Sequence, residues 1–247
     1  SDIVYWHDVY TEPVPRLYLH DDNTNTLSID LRFGYGDHEL PATKSEEDHI
    51  VKTIPGTWDL VRVYRRLERE QYYYQLLIDP TYHLKRAGEL GVFELRARTH
   101  PFDFLLHSVP QLTQAGFEIY GEDTLKIGKI NRNTATLRVS ITSGIDWFDL
   151  KTVVEYGDQK ISLHDLRKSL KRGDHYIKLA DGSVGQIPKE WLEKYKHLWN
   201  LAEETGEGFR VSDLHLPLLD QLLEEDATLQ APPDLIQRRE RLSAFEK

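Results

Sequence analysis

The chain has no cysteine and no methionine among its 247 residues. Without cysteine it can form neither a disulfide nor a thiolate metal site, and this composition fits a reducing compartment, so we expect a cytoplasmic location. The uninterrupted apolar runs are only a few residues long, for example residues 76–78. Such short runs cannot span a bilayer as a helix, so no membrane partner is expected.

Common catalytic and nucleotide-binding motifs are missing as well. The nearest approach to a phosphate-binding loop, from Gly121 to Gly128–Lys129, has six intervening residues, a spacing that cannot build the same backbone nest around a phosphate. Neither HExxH nor GxSxG occurs, and the eleven histidines are scattered rather than paired at ligand spacing. We therefore predict no catalytic residue, no metal and no cofactor for this chain.

Acidic residues outnumber basic ones, 41 against 31, for a net charge of −10. A chain this acidic has no global attraction for nucleic acid, so any DNA contact needs a local basic patch. Residues 58–78 have helical periodicity with arginines at i, i+3, i+4 and i+7, and a second basic cluster lies on a helix predicted after Ser162. The candidates for DNA or partner contact are Arg62, Arg65, Arg66, Arg69, Lys168, Lys171 and Arg172. The alternative, a solvated helix face, is favoured for the arginines by the intervening glutamates.

Hydrophobic patterning predicts an α+β fold. Residues 14–20 and 27–35 alternate with period two around a run of turn formers, which predicts a β-hairpin. Residues 36–57 are polar and are interpreted as a loop. A helix over 101–114, interrupted by Pro110, precedes closely spaced short strands from 117 to 156, and these strands indicate an antiparallel β-meander.

The remainder predicts a smaller C-terminal α/β unit. A short helix begins at Ser162 and ends at Gly173, a hairpin turns at Ala180–Asp181–Gly182, and another helix begins at Pro188. A last helix is predicted after residue 211. We place a β-rich subdomain with inserted helices at 1–155, a small α/β subdomain with C-terminal helices at 156–230, and a linker at 231–247.

The stretch ITSGIDWFDL at 141–150 is the best candidate for chemistry. Asp149–Leu150–Lys151 has the Asp-x-Lys pattern of metal-dependent nucleases, with Asp123 or Asp146 as a second carboxylate. However, Asp-x-Lys is frequent by chance, and aspartates at strand turns often bind backbone amides. We favour a structural role, in which Trp147 and Phe148 pack in the fold and the aspartates hold backbone amides.

The run ITSGIDWFDLKTVVEYGDQKISLHDLRKSL, followed by HYIKLADGSVGQIPKEWLEKYKHL, resembles the bacterial helicase-associated domain of Swi/Snf-family proteins. In that family an SGxDWFdL segment precedes an acidic strand and a short helix, and a hairpin with a DGSxG turn then leads into a PxeWl helix. The matching positions here are Ser143, Gly144, Asp146, Trp147, Phe148, Asp149, Asp181, Gly182, Pro188 and Trp191.

This resemblance implies a non-catalytic accessory or regulatory domain of a multidomain bacterial DNA translocase. The domain would dock on the ATPase motor or modulate its engagement with DNA. ATP and Mg²⁺ would bind to the motor and Zn²⁺ to a SWIM module, neither of which lies in this chain. Double-stranded DNA would be a partner through the parent protein, which could associate with the nucleoid. The alternatives are a stand-alone DNA-contacting module and, less favoured, the nuclease.

Overall fold

The computed structural model describes residues 4–22, 26–43, 46–144, 146–194, 200, 202–205, 208–212, 215 and 217. The chain divides into two compact units, residues 1–130 and 131–247. Each unit has its own hydrophobic core, and each is described by itself.

Unit 1, residues 1–130, is rich in strands with three short α-helices. The strands are β1 (Trp6–Val9), β2 (Val14–Asp21), β3 (Leu27–Tyr35), β4 (His38–Pro41), β5 (His49–Thr53), β6 (Leu60–Tyr64), β7 (Leu84–Arg86), β8 (Val92–Leu95) and β9 (Glu118–Tyr120). The helices are α1 (Leu67–Leu77), α2 (Pro101–Asp103) and α3 (Val109–Gln114), and a π-helical segment, Phe104–Ser108, joins the last two.

Two sheets organise unit 1. The larger has the order β7-β8-β3-β2-β9, with β4 paired to β3, and the smaller has the order β1-β6-β5. Strands β2 and β3 form the predicted antiparallel hairpin, with Leu17 opposite Leu31. Alternate residues of β3 are buried, as the period-two pattern predicts. The expected helix over 101–114 is also present, and Pro110 lies in the first turn of α3.

The helix predicted over residues 58–78 is wrong in its first half. Residues 60–64 form strand β6, and α1 begins only at Leu67. The segment Leu-Val-Arg-Val-Tyr fits period two as well as period 3.6. Burial of Val61 and Val63 in the core decides for the strand, and branched side chains suit a strand. Residues 36–57 are likewise not a simple loop, because β4 and β5 lie within them.

Unit 2, residues 131–247, contains two further sheets. Its elements are β10 (Ile130–Asn131, whose first residue is the last of unit 1), β11 (Thr136–Ser143), β12 (Trp147–Tyr156), β13 (Gln159–Ser162), α4 (Leu163–Arg172), β14 (Tyr176–Lys178), β15 (Val184–Gln186), α5 (Lys189–Lys194), β16 (Glu203–Thr205) and β17 (Gly208–Ser212). One sheet has the order β11-β12-β17-β16, with β13 on β12, and the other the order β10-β15-β14.

The predicted ends of α4 are confirmed by its caps. The Ser162 hydroxyl accepts a hydrogen bond from the backbone N–H of Asp165, at 3.2 Å, and satisfies a free amide of the first turn. Gly173 ends the helix in the left-handed conformation, with φ of 77°. The buried face of α4 includes Leu166 and Leu170, which lie in the core of unit 2.

The sequence placed the domain boundary at residues 155 and 156, whereas the structure divides the chain between Ile130 and Asn131. A boundary at 155 would cut strand β12, which pairs with β11, β13 and β17. The predicted antiparallel meander over residues 117–156 is also divided between the two units, because its first strand, β9, pairs in parallel with β2 of unit 1. The predicted last helix and the linker at 231–247 lie outside the described residues, apart from single positions. The α+β class is confirmed. Among the described residues no helix combines the length and apolar composition needed to cross a bilayer.

Candidate docking surface

The signature stretch at 141–150 builds the middle of unit 2. Phe148 points into the core and is fully buried, while Trp147 and Asp149 lie on the opposite face of β12. Arg210, across the strand pair from Asp149, donates from Nε to Oδ1 at 2.8 Å and from Nη2 to Oδ2 at 3.2 Å. The Trp147 indole N–H also donates to Asp149, at 3.3 Å. The hydrogen bond from Arg210 is the main reason that the pKa of Asp149 lies below its ordinary value.

This geometry disfavours the nuclease interpretation. Both carboxylate oxygens of Asp149 face the guanidinium of Arg210, which leaves them poorly placed to hold a cation. In the part of the chain that the structure describes, no three His, Asp or Glu side chains come together in a group that could bind a metal ion. Asp146 is exposed. The expectation that Asp149 holds backbone amides is also corrected, because its partners are side chains.

The other signature positions shape turns and close packing. Gly144 donates its N–H to the carbonyl of Trp147 at 2.7 Å, and a Cβ at Gly144 would overlap the indole ring of that residue. Asp181 accepts from the N–H of Ser183 at 2.9 Å and so fixes the hairpin turn that contains Gly182. At the start of α5, the backbone N–H of Trp191 donates to the carbonyl oxygen of Pro188 at 3.1 Å. Ser143 is paired through its backbone with Phe148.

The predicted arginine stripe does not exist as one surface. Arg62 lies on strand β6, and Arg69 lies on helix α1. Arg65 is buried, with 6% of its surface exposed; its Nη2 and Nε donate to the two carboxylate oxygens of Glu70 at 2.5 and 3.1 Å. It therefore cannot contact phosphate. The stripe was predicted from helical spacing, and it is broken up because the segment is half strand.

The two remaining arginines of the set also have partners. The Nε of Arg66 lies 3.6 Å from a carboxylate oxygen of Glu12. The guanidinium of Arg69 lies 5.4 Å from the ring centroids of both Tyr72 and Tyr73, in a cation–π arrangement. The carboxylate of Glu12 offsets the charge that Arg66 could offer to DNA, whereas the tyrosine rings contact Arg69 without neutralising it.

The second predicted cluster does lie on one helix. Lys168 and Lys171 are exposed on α4, three residues apart, so they project from neighbouring turns. Arg172 is exposed as well, but its Nη2 lies 2.7 Å from a carboxylate oxygen of Asp174. The two lysines are thus the basic pair of this cluster without an acidic neighbour within ion-pair distance among the described residues.

A different surface emerges on the small sheet β1-β6-β5. Val61 and Val63 of β6 face the core, so the alternate residues point outwards. The register places their neighbours on the same side. We call this surface the aromatic face. It consists of Trp6, Asp8 and Tyr10 from β1 and its end, Leu60, Arg62 and Tyr64 from β6, and His49, Val51 and Thr53 from β5.

Arg62 lies at the centre of the aromatic face. Its guanidinium is 4.5 Å from the ring centroid of Trp6, and its Nη1 donates to the Tyr64 hydroxyl at 3.0 Å. Its Nε lies 3.8 Å from a carboxylate oxygen of Asp8. Tyr10 stacks on Tyr64 with ring centroids 4.5 Å apart, and hydrogen bonding to Tyr64 raises the pKa of Tyr10. The rings are therefore held in fixed positions.

The aromatic face is also open to solvent. Trp6 is 49% exposed and Tyr10 is 59% exposed, and Val51, on β5 at the other edge of the sheet, is 44% exposed. Trp58, at 77%, and Tyr5, at 58%, are exposed close to the same strands along the chain. Large side chains of this kind are normally removed from water in a monomer, so a contiguous group of them indicates an interaction surface.

The outer face of the larger sheet offers a contrast. Tyr18 and Tyr120 stack there with centroids 5.0 Å apart, but the surrounding charges satisfy one another. Glu39 accepts from the Tyr18 hydroxyl at 2.6 Å and from Arg32 and Arg16 at 3.2 and 3.4 Å. Partial burial alone would raise the pKa of Glu39, but these hydrogen bonds outweigh it and lower that pKa. This face is a closed polar network.

Sequence reasoning did not identify the aromatic face. The signal was present as two similar patterns, Trp6-x-Asp8-x-Tyr10 and Leu60-x-Arg62-x-Tyr64, each with large side chains at every second position. Period-two patterns of this kind predict a strand with an apolar outer face. The second pattern was assigned to a helix, and β1 was not predicted at all.

Comparison with known proteins identifies the family. No curated protein and no solved structure matches the chain. A family model described as bacterial SNF2 helicase associated matches residues 8–246, which is nearly the whole chain and includes both units. The chain therefore belongs to the bacterial SNF2 helicase-associated family.

Proposed function

We propose that the chain is a non-catalytic accessory domain of a bacterial SNF2-type helicase and that it docks on the ATPase motor of its parent protein through the aromatic face. The observation that carries this proposal is the ordered group of exposed rings around Arg62. Tryptophan, tyrosine and arginine are the residues most enriched among those that dominate protein–protein binding energy. In this proposal ATP and Mg²⁺ act in the motor, Zn²⁺ in a SWIM module, and the parent works in the cytoplasm.

The charges of the aromatic face favour a protein partner over nucleic acid. Arg62 lies beside the carboxylate of Asp8, and His49 Nδ1 lies 2.7 Å from a carboxylate oxygen of the neighbouring Asp48. The carboxylates of Asp8 and Asp48 would repel a phosphate backbone at this face, and the guanidinium of Arg62 already lies beside Asp8. A neutral, largely apolar surface of a folded domain matches these properties better.

The test compares variants of the full parent protein. Trp6→Ala together with Tyr64→Ala should change the DNA-stimulated ATPase rate, because truncating interface residues of this kind costs about 2 kcal/mol or more each. The matched control is Tyr120→Ala, which removes a stacked and 40% exposed tyrosine from the other sheet and should leave the rate unchanged. Binding of the isolated chain to the isolated motor should weaken about 30-fold for each aromatic-face residue truncated.

Deletion gives the broadest test of the same proposal. The parent protein without residues 1–230 should differ from the complete protein in the rate or in the DNA dependence of its ATPase. Identical rates with and without these residues would refute a regulatory role. Equal effects of Tyr120→Ala and of the aromatic-face variant would instead refute the assignment of the surface.

A second candidate, contact with DNA, is supported by Lys168 and Lys171 on α4. If both lysines neutralise phosphates, the binding constant should fall with salt with a logarithmic slope of about −2. Replacing both lysines by glutamine should remove that dependence. Absence of binding between the isolated chain and duplex DNA at low ionic strength would end this candidate for the chain itself.

A further inference from the structure

A cavity of about 610 Å³ opens in unit 1 beside the first two turns of α1. Its walls are mostly apolar and include Phe33 from β3, Leu67 and Tyr74 from α1, and Leu90 from the turn between β7 and β8. A volume of this size, with apolar walls and a few polar groups, lies in the range of sites that bind a ligand or an inserted side chain. The aromatic face shares none of the residues that line it.

Carboxylates dominate the polar part of the cavity. Glu46 and Glu68 are exposed, on the chain after β4 and on the first turn of α1. Glu70 and Arg65 also line it, but Arg65 donates to both carboxylate oxygens of Glu70, so this pair adds no net charge. The helix dipole accounts for an acid in the first turn of α1. It does not account for a second acid on a separate segment at the same cavity.

The ring of Tyr74, in the wall of the cavity, already contacts a cation. The guanidinium of Arg86 lies 5.2 Å from the ring centroid of Tyr74, in a cation–π contact. Tyr74 also packs against Phe93, with ring centroids 5.3 Å apart, so it is held in place. A cation entering the cavity would meet an aromatic wall and two carboxylates, with Arg86 as the positive charge that opposes it.

We propose that this cavity binds the side chain of a lysine or arginine that is flanked by aliphatic residues in a segment of a partner protein. The apolar walls would take the methylene stem and a neighbouring aliphatic side chain. Glu46 and Glu68 would receive the charged head. This long amphipathic side chain fits the composition of the cavity, because it is apolar along its stem and charged only at its tip. The inference does not depend on docking through the aromatic face.

The test uses the complete chain and two capped tripeptides, leucine–arginine–leucine and leucine–glutamine–leucine. Calorimetric titration, with amide chemical shifts to locate the site, should show that the arginine peptide binds at least about five-fold more tightly, as expected for partly exposed ion pairs. Shifts should be confined to α1 and the residues around 42–46 and 90. Equal affinity of the two peptides, or shifts elsewhere, would overturn the proposal.

Two substitutions with opposite expected signs sharpen the test. Glu68→Gln should weaken the arginine peptide about five-fold, whereas Arg86→Gln should strengthen it by removing the opposing charge. The matched control is Glu190→Gln, which removes an acid from the first turn of α5 that is not among the residues lining the cavity. If Glu68→Gln and Glu190→Gln have the same effect, or if Arg86→Gln weakens binding, the charge argument fails. Glu46→Gln repeats the test outside any helix if the α1 variant is unstable.

Discussion

Replacing Glu70 with alanine is expected to lower the free energy of unfolding of unit 1 by about 3–5 kcal/mol, because Arg65 would remain buried without a counter-charge. Only 1% of the Arg65 side chain and 7% of the Glu70 side chain are exposed. Glu70 also accepts the hydroxyl hydrogen bond of Tyr35 at 2.6 Å, and that hydroxyl in turn accepts the N–H of Arg66 at 2.9 Å. One substitution therefore leaves several buried polar groups without their acceptor.

The magnitude follows from comparing single and double replacements. In Arg65→Met with Glu70→Leu both charges are gone, and the remaining loss is mainly the hydrogen bonds of Tyr35 and of Arg65 to the Glu47 carbonyl. Such bonds contribute about 0.5–1.5 kcal/mol each, so the double variant should lose only about 1–3 kcal/mol. The single variant should thus be less stable than the double one, an order that additive effects would give only if Arg65→Met alone were stabilising.

The assay is urea unfolding of the complete chain, with hydrogen exchange at the amides of α1 to assign the loss to unit 1. A loss of 3 kcal/mol should raise the open population of these amides by about two orders of magnitude. Tyr35→Phe, which removes one hydroxyl, should cost less than Glu70→Ala. A cost below about 1 kcal/mol for Glu70→Ala, or a double variant as unstable as the single one, would refute the argument that a buried charge decides the result.

Three further predictions concern other parts of the molecule. Because the pKa of Glu39 is lower in the folded state, the ionised carboxylate stabilises the fold fully above its ordinary pKa of 4.5, and this contribution is lost as the pH falls below that value. Glu39→Gln should therefore flatten the decline in stability that denaturation measures between pH 6 and pH 3. Gly185→Ala should cost about 1–3 kcal/mol in thermal unfolding, since its Cβ would overlap the Tyr156 ring, whereas Gly88→Ala, which faces open space, should cost little. Plasmid DNA incubated with the chain and Mg²⁺ or Mn²⁺ should stay intact, because Asp149 is paired; nicking that Asp149→Asn abolishes would contradict this.

Local signals in the sequence were sufficient where a structure depends on neighbouring residues. The turn formers between β2 and β3, the Ser162 cap and the glycine that ends α4 each act within a few residues, and each prediction was confirmed. The signature of unit 2 could be identified for a similar reason. Gly144 lies against Trp147 three residues later, so the spacing of the motif directly records a packing contact.

The errors arose where distant segments decide the structure. Five residues, 60–64, fit a helix and a strand equally well, and their pairing with β1, more than 50 residues earlier, cannot be read from local periodicity. The arginine stripe and the aromatic face depend on the same segment. Assigning helical periodicity to this segment therefore predicted the stripe and hid the aromatic face. The predicted boundary at 155 and 156 differs from the division of the chain between Ile130 and Asn131, and the position of β12 between β11 and β17 is likewise a long-range property.

The fixed geometry of the aromatic face has a thermodynamic consequence for any partner. Arg62 already lies on Trp6 and donates to Tyr64, and Tyr64 is stacked on Tyr10, before anything binds. Freezing a mobile side chain on association costs about 0.5–1.5 kcal/mol, and here that loss of rotamer entropy has already occurred on folding. Complex formation should therefore leave the backbone of this sheet nearly unchanged, and its calorimetric signature should be a negative heat-capacity change without a large ordering entropy.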